Sequence, residues 1–149
     1  MIERLEVVHL FTKQHGVASV RQLRALGVSM HAIANARERG TVINVVTGVV
    51  RLAGTQESFV SRAMALQLHV SPLSYLSGVS AGVIHGLRGM PRHPIEITTE
   101  QQRRKNMPSW GRLEYTSWAE DLRQVQTSPA VLRFADPLLM LFRLARTFN

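Results

Sequence analysis

The sequence predicts an α+β fold, mostly helical, and three observations carry that reading. Helix-start and helix-stop signals alternate closely from Ile2 to Gly40. Two β-branched runs follow at once, TVINVV and VVRL, broken at Thr47-Gly48. After Ala53-Gly54 shorter helical and strand-like patterns mix, as in a small α/β subdomain.

The first segment, Ile2 to Gln14, sets Leu5, Val8, His9 and Thr12 at helical spacing, and His15-Gly16 ends it. Ser19 with Gln22 three residues on is a capping box: the hydroxyl takes an orphan amide and the Gln side chain reaches back. The short helix that follows carries Leu23 and Leu26 inward and stops at Gly27, the residue that best tolerates a left-handed cap. Ser29 caps a third helix running to Arg39, with Gly40 as its stop. Thr41 to Leu52 reads as a hairpin. Helix, helix, Gly turn, helix, hairpin is the order of an N-terminal winged helix-turn-helix, assigned to residues 1–54 with its reading elements between Val17 and Arg51. A generic three-helix bundle with an appended hairpin is the alternative.

Residues 55–149 form the small helix-strand subdomain. Helical patterns run from Glu57 to Val70 and from Ser77 to His85, interrupted at Ser71-Pro72 and ended at Gly86. Ile95, Ile97 and Thr99 alternate with polar neighbours, and Leu113 to Thr116 could return as a strand. Glu100 to Gly111 is a basic, turn-rich loop, and Pro137 to Arg146 is a last amphipathic helix.

Composition narrows the partner. A chain of 149 residues with 45% apolar and 19% charged side chains can bury a core, so wholesale disorder is excluded. Eighteen basic residues against ten acidic ones leave +8, and sixteen of the eighteen are Arg, whose planar fork fits phosphate and guanine. No cysteine is present, which suits a reducing cytoplasm and removes disulfides and thiolate zinc sites. The opening residues carry Glu3, Glu6 and Lys13 and do not read as a secretory signal; the most apolar stretch, Pro137 to Phe142, is too short to span a bilayer. A soluble cytoplasmic protein, not a membrane partner, is expected.

On the third helix Ile33 lies inward, with Ala36 and Arg37 on its flank, and Arg37 can lay its stem against the core while its head reaches outward. His31, Ala34, Asn35 and Glu38 share the opposite face. Asn pairs in two places with adenine, so Asn35 is the leading base-reading candidate; a solvated helix surface is the competing interpretation. That face is weakly basic, so affinity must come from phosphate contacts by Lys13, Arg21, Arg24, Arg39 and Arg51. Ser29, His31 and Asn44 complete the expected DNA-facing set, and the run Arg103, Arg104, Lys105 is either a second phosphate contact or a solvated loop.

Catalytic patterns are poorly represented. The six His are scattered, only Asp121 and Asp136 are Asp, and GVSAG lacks the Lys-Ser/Thr of a P-loop. Ser77, Ser80 and His85 read as part of a small-residue helix more readily than as a nucleophile set. No enzyme activity, metal or cofactor is expected.

The stretch QHGVASVRQLRALGVSMHAIANARERGTVINVVTGVVRLAG is similar to the N-terminal winged-helix module of AbiEi-type antitoxins of type IV toxin-antitoxin systems. YLSGVSAGVIHGL, PIEITTEQQRRKN and FADPLLMLFRLA resemble later segments of that family's first half. Three features depart from the pattern. Val50 replaces the wing's usual aromatic, Ile43-Asn44-Val45 replaces a segment often rich in His and Arg, and Arg37 stands where the family tends to be apolar. The resemblance implies a transcriptional autoregulator, a repressor binding inverted repeats at an operator, with a nucleotidyltransferase-like toxin as a functional but non-contacting partner. It also implies a second domain beyond Asn149 that carries antitoxin activity, as this chain's end without a Gly cap suggests. Two alternatives stay open: a DNA-targeting module severed from a very-short-patch-repair-like nuclease, and a protein–protein adaptor that no longer touches DNA.

Overall fold

The computed structural model describes residues 2–100, 105–116, 125–127, 132–135, 140–141 and 144–145. They form an α+β protein of two compact units, Met1–His69 and Val70–Asn149. The expected division after position 54 lies inside the first of these. The reason is helix α4 (Phe59–Val70), which begins on reciprocal bonds between Ser58 and Ser61 and whose His69 Nδ1 hydrogen-bonds the Thr47 carbonyl at 3.0 Å.

Helix α1 (Leu5–Lys13) buries Val7 and Phe11, not the stripe first read from its spacing; Leu5 is 84% exposed, and Val8, His9 and Thr12 also face outward. A nine-residue helix with apolar side chains on two stripes gives no periodicity that selects one, and packing decides. His15 and Gly16 end it with positive φ, +58° and +84°. Gly16 leaves no room for a side chain, because a Cβ there would collide with Thr55. Strand β1 (Val17–Ser19) follows, too short to be legible in advance.

Helix α2 (Val20–Ala25) starts on the capping box, Ser19 Oγ accepting from Gln22 N–H at 3.1 Å and Gln22 Oε1 accepting from Ser19 N–H at 3.0 Å. Gly27, at φ +84°, turns the chain, and Val28 N–H bonds back to the Leu23 carbonyl. Helix α3 (Met30–Glu38) is capped by Ser29, which accepts from Ala32 N–H at 3.0 Å, and ends at Gly40. Strands β2 (Val42–Val46) and β3 (Val49–Leu52) pair across the Thr47-Gly48 turn, with a bulge at Val45. The sheet order is β1-β3-β2. Val7, Phe11, Leu23, Val28, Ile33, Val42 and Val50 make one core under it. Each large member contributes about 1.5–3 kcal/mol over its exposed state.

The second unit holds more strand than its sequence suggested. Strands β4 (Tyr75–Leu76), β5 (Ile95–Thr99), β6 (Gly111–Tyr115), β7 (Val125–Thr127) and β8 (Arg133–Ala135) form a mixed sheet in the order β6-β5-β4-β8-β7. Helix α5 (Gly78–Ile84) packs on it. All five residues of β5 are buried, so its polar members must find partners within the protein. Thr98 Oγ1 meets Ser77 Oγ at 2.7 Å and the Glu96 carboxylate faces Arg112 Nη1 at 3.8 Å, while the Glu96 main-chain N–H donates to Ser80 Oγ at 2.7 Å. The Glu96 carboxylate lies directly against Gly78, whose φ is +53° and whose place no Cβ could share with it. Of the expected C-terminal helix, positions 140–141 and 144–145 are described and helical, with Met140 and Leu144 buried beside Tyr75 and Val79.

Candidate functional site

Helices α2 and α3, with their caps, hold six of the twelve expected contacts: Arg21, Arg24, Ser29, His31, Asn35 and Arg39. Leu23 anchors α2, and this sends Arg21 and Arg24, three positions apart, outward together. Ile33 and Ala36 anchor α3, leaving Met30, His31, Ala34 and Glu38 exposed on its far side. Arg39 is exposed at the end of the helix, and Lys13 is exposed at the end of α1. Ser29 is exposed, with its hydroxyl spent on the cap.

Two expected contacts, Asn35 and Arg51, sit differently from their assignment. Asn35 is half-buried on the flank of α3, beside a depression of about 190 Å³ that it lines with Ile2, Glu3, Arg39 and Thr41. His31 therefore stands further out than Asn35 on the helix. Arg51 is half-buried and turned back, its Nη1 donating to the carbonyls of Leu52, at 3.3 Å, and of Thr55. Its Nη1 is therefore spent on the main chain, which leaves fewer donors for a phosphate than the expectation assumed. Lys105 is exposed but belongs to the second unit, and Arg103 and Arg104 lie outside the described residues. Asn44 is exposed on β2 beside Ile43.

Two contributors were missed. Arg4 reaches the turn between α2 and α3, its Nη1 lying 3.5 Å from where a Cβ would project from Gly27, while Nη2 bonds Glu6 at 2.9 Å. Neither contact was legible: two residues apart is not a spacing that pairs side chains on a helix, and the approach to Gly27 is tertiary. Gln14 and Gln22 exchange side-chain amide hydrogen bonds of 2.9 and 2.7 Å, and Gln14 Nε2 also donates to the Val17 carbonyl. This ties the end of α1 to the capping box of α2. The signal in the sequence was only two glutamines flanking a turn.

Electrostatics separates the two units. In the first, burial pulls His15 below the ordinary histidine pKa, and its Nε2 is shut from solvent with no hydrogen-bond partner. In the second, burial raises the pKa of Glu96 and the Glu114 carboxylate raises it further; Arg112, 3.8 Å away, and the Val79 N–H oppose them. The hydroxyls of Ser77 and Ser80 bond to β5, whereas His85 Nε2 meets the Ala135 carbonyl at 2.7 Å, so the three do not share a hydrogen-bond relay. Among the described residues no group of three or more His, Asp and Glu is placed to hold a metal ion. No helix among them is long and apolar enough to cross a membrane.

No protein-family model matches the chain, and no curated protein matches it. Among solved structures it is similar to the RV2827C protein from Mycobacterium tuberculosis, with a TM-score of 0.60 and 18% identity over 94% of this chain. The chain spans 58% of the length of that protein. At this identity the likeness is one of fold, and it supports a mixed α+β architecture built from five helices and two small sheets among the described residues.

Proposed function

We propose that the chain binds double-stranded DNA sequence-specifically through a winged helix-turn-helix made of α2, α3 and the β2–β3 hairpin. The observation that carries the reading is the pair of capped helices joined at Gly27, followed at once by a two-stranded hairpin. That order suits a helix that enters a major groove while its neighbour braces it on the backbone. Arg21, Arg24, Arg39 and Lys13 supply exposed cations around the helix pair, while Arg4 at the turn is paired with Glu6. His31 and Asn35 are the base-reading candidates, at the crest and flank of α3. By the resemblance to AbiEi-type antitoxins, the DNA is an operator of inverted repeats. The chain then acts without catalysis as the autoregulatory part of a type IV toxin-antitoxin system.

One observation favours an adaptor instead: the outermost face of α3 carries Glu38 and no Arg or Lys. Salt titration decides between them. Removing a single phosphate-binding cation, as in Arg21→Ala, Arg24→Ala or Arg39→Ala, should flatten the slope of log affinity against log salt by about 0.9. His31→Ala or Asn35→Ala should cost about 1–3 kcal/mol at one base pair of a selected duplex. Salt slopes unchanged in all three Arg variants, with equal weakening on every duplex for the α3 variants, would rule out DNA reading by this surface.

A further inference from the structure

Strand β2 is the free edge of the first sheet, and its chemistry differs from that of the opposite edge. At the β1 edge, Gln14 covers the main chain: its Nε2 donates to the Val17 carbonyl, and its main-chain carbonyl accepts from Val17 N–H. Nothing comparable covers β2 among the described residues. Leu52 N–H bonds toward β1 at Gly16 while Ala53 N–H bonds to Thr41, so alternate residues of β3 face alternate neighbours. With Ile43 opposite Arg51, this leaves the N–H and C=O of Val42 and Asn44 directed away from β3. Among the described residues no hydrogen bond reaches those outward groups.

Exposed edges are usually protected by charge, Pro or an inward Lys. Val42-Ile43-Asn44-Val45-Val46 carries no charge, Pro or Lys; its bulge at Val45, itself an edge-protecting device, leaves Val42 to Asn44 regular, and Ile43 is 44% exposed. The neighbouring cation, Arg51, is folded onto the carbonyls of Leu52 and Thr55. The hairpin is also held in place before any partner arrives. Val20 N–H bonds the Gly48 carbonyl at 2.8 Å, and His69 bonds the Thr47 carbonyl. Little ordering is left to oppose association.

We propose that the β2 edge is a self-pairing surface, to which a second copy of this chain adds its own β2 antiparallel about a two-fold axis through Ile43. The occupant follows from the pattern. A two-fold at Ile43 sets each Val42 opposite the second copy's Asn44, so the outward groups satisfy one another in four hydrogen bonds on the bulge-free part of the strand. It sets Ile43 against Ile43 in the closer, non-hydrogen-bonded position, covering the exposed side chain. A chain of net charge +8 repels its own copy, and an uncharged edge is where two copies can meet. The pairing uses the main chain of Asn44, whose side chain was expected at DNA.

Sedimentation equilibrium of the whole chain, over a range of protein and salt concentrations, tests this without DNA. The expected result is a monomer–dimer equilibrium that tightens as salt rises, opposite in sign to DNA binding, so the two readings can fail independently. Ile43→Lys should weaken dimerisation by about tenfold or more, and Asn44→Pro, whose lost N–H is an outward one not bonded to β3, should weaken it with the helical circular dichroism unchanged. A wild-type chain monomeric at every concentration and salt would overturn the proposal. So would a dimer indifferent to both variants.

Discussion

Arg37 is a charged residue in surroundings that suit a hydrocarbon chain. It is half-buried on α3, and its Nε is shut from solvent without a partner. The sequence showed that its stem could lie on the core, but the stranded Nε depends on neighbours that only the fold supplies. Removing an unsatisfied buried donor while keeping the volume recovers its desolvation penalty, so Arg37→Met should raise unfolding stability by about 1 kcal/mol in urea titration. A drop in stability would show that the guanidinium is satisfied. His15 makes a second residue-scale prediction. Its folded pKa is depressed, so above the ordinary histidine value both states are neutral and stability is flat. As pH falls below that value the unfolded chain protonates first, and stability declines until the depressed folded pKa is passed. His15→Asn removes this titration and suits the φ of +58°, since Asn visits the left-handed region more readily than most residues. Unfolding midpoints of the two proteins should diverge between about pH 7 and pH 5 in favour of the variant; parallel curves would count against it.

The elements of the first unit were the most legible because their ends are chemically marked. Ser19, Gln22, Gly27, Ser29 and Gly40 all act at the positions their types suggested. The three-residue β1, the two-residue β4 and the inward face of α1 were not legible, because pairing and packing create them and no local preference does. The link between α1 and α2 yields a testable coupling. Gln22 Oε1 accepts from both Ser19 N–H and Gln14 Nε2, so the cap and the interhelical amide pair share one atom. Ser19→Ala should cost about 1 kcal/mol. In a double-mutant cycle, Gln14→Ala and Gln22→Ala should couple by about 0.5–3 kcal/mol rather than add. Additive effects would mean that the two amides act independently.

Across the whole molecule, the basic excess was readable from composition, but its distribution was not. Arg51 was expected at a phosphate and instead closes a turn, while Arg4, absent from the expected set, comes to the Gly27 turn. The partners of Arg51 are close in sequence but are main-chain carbonyls that no residue type marks, whereas the approach of Arg4 to Gly27 is tertiary. The second unit makes the last prediction. Glu96 has a raised pKa, so its contribution to folding is complete below the ordinary carboxylate value and is lost as pH rises through the raised one. Glu96→Gln should match wild type in acid and become the more stable protein as pH rises above about 4. A stability difference that stays constant with pH would show that burial does not govern this carboxylate.

The contact between that carboxylate and Gly78 also orders the paths by which the sequence can drift. Any side chain gained at 78 meets the carboxylate of Glu96 while the backbone there is already at a φ that L residues avoid. Shortening residue 96 first, to Asp or Ser, removes the collision and makes a later Gly78→Asn tolerable; in the reverse order the Glu96 carboxylate must swing aside from the position it holds. Positions 78 and 96 are therefore coupled, and in diverging lineages changes at 96 should tend to precede changes at 78.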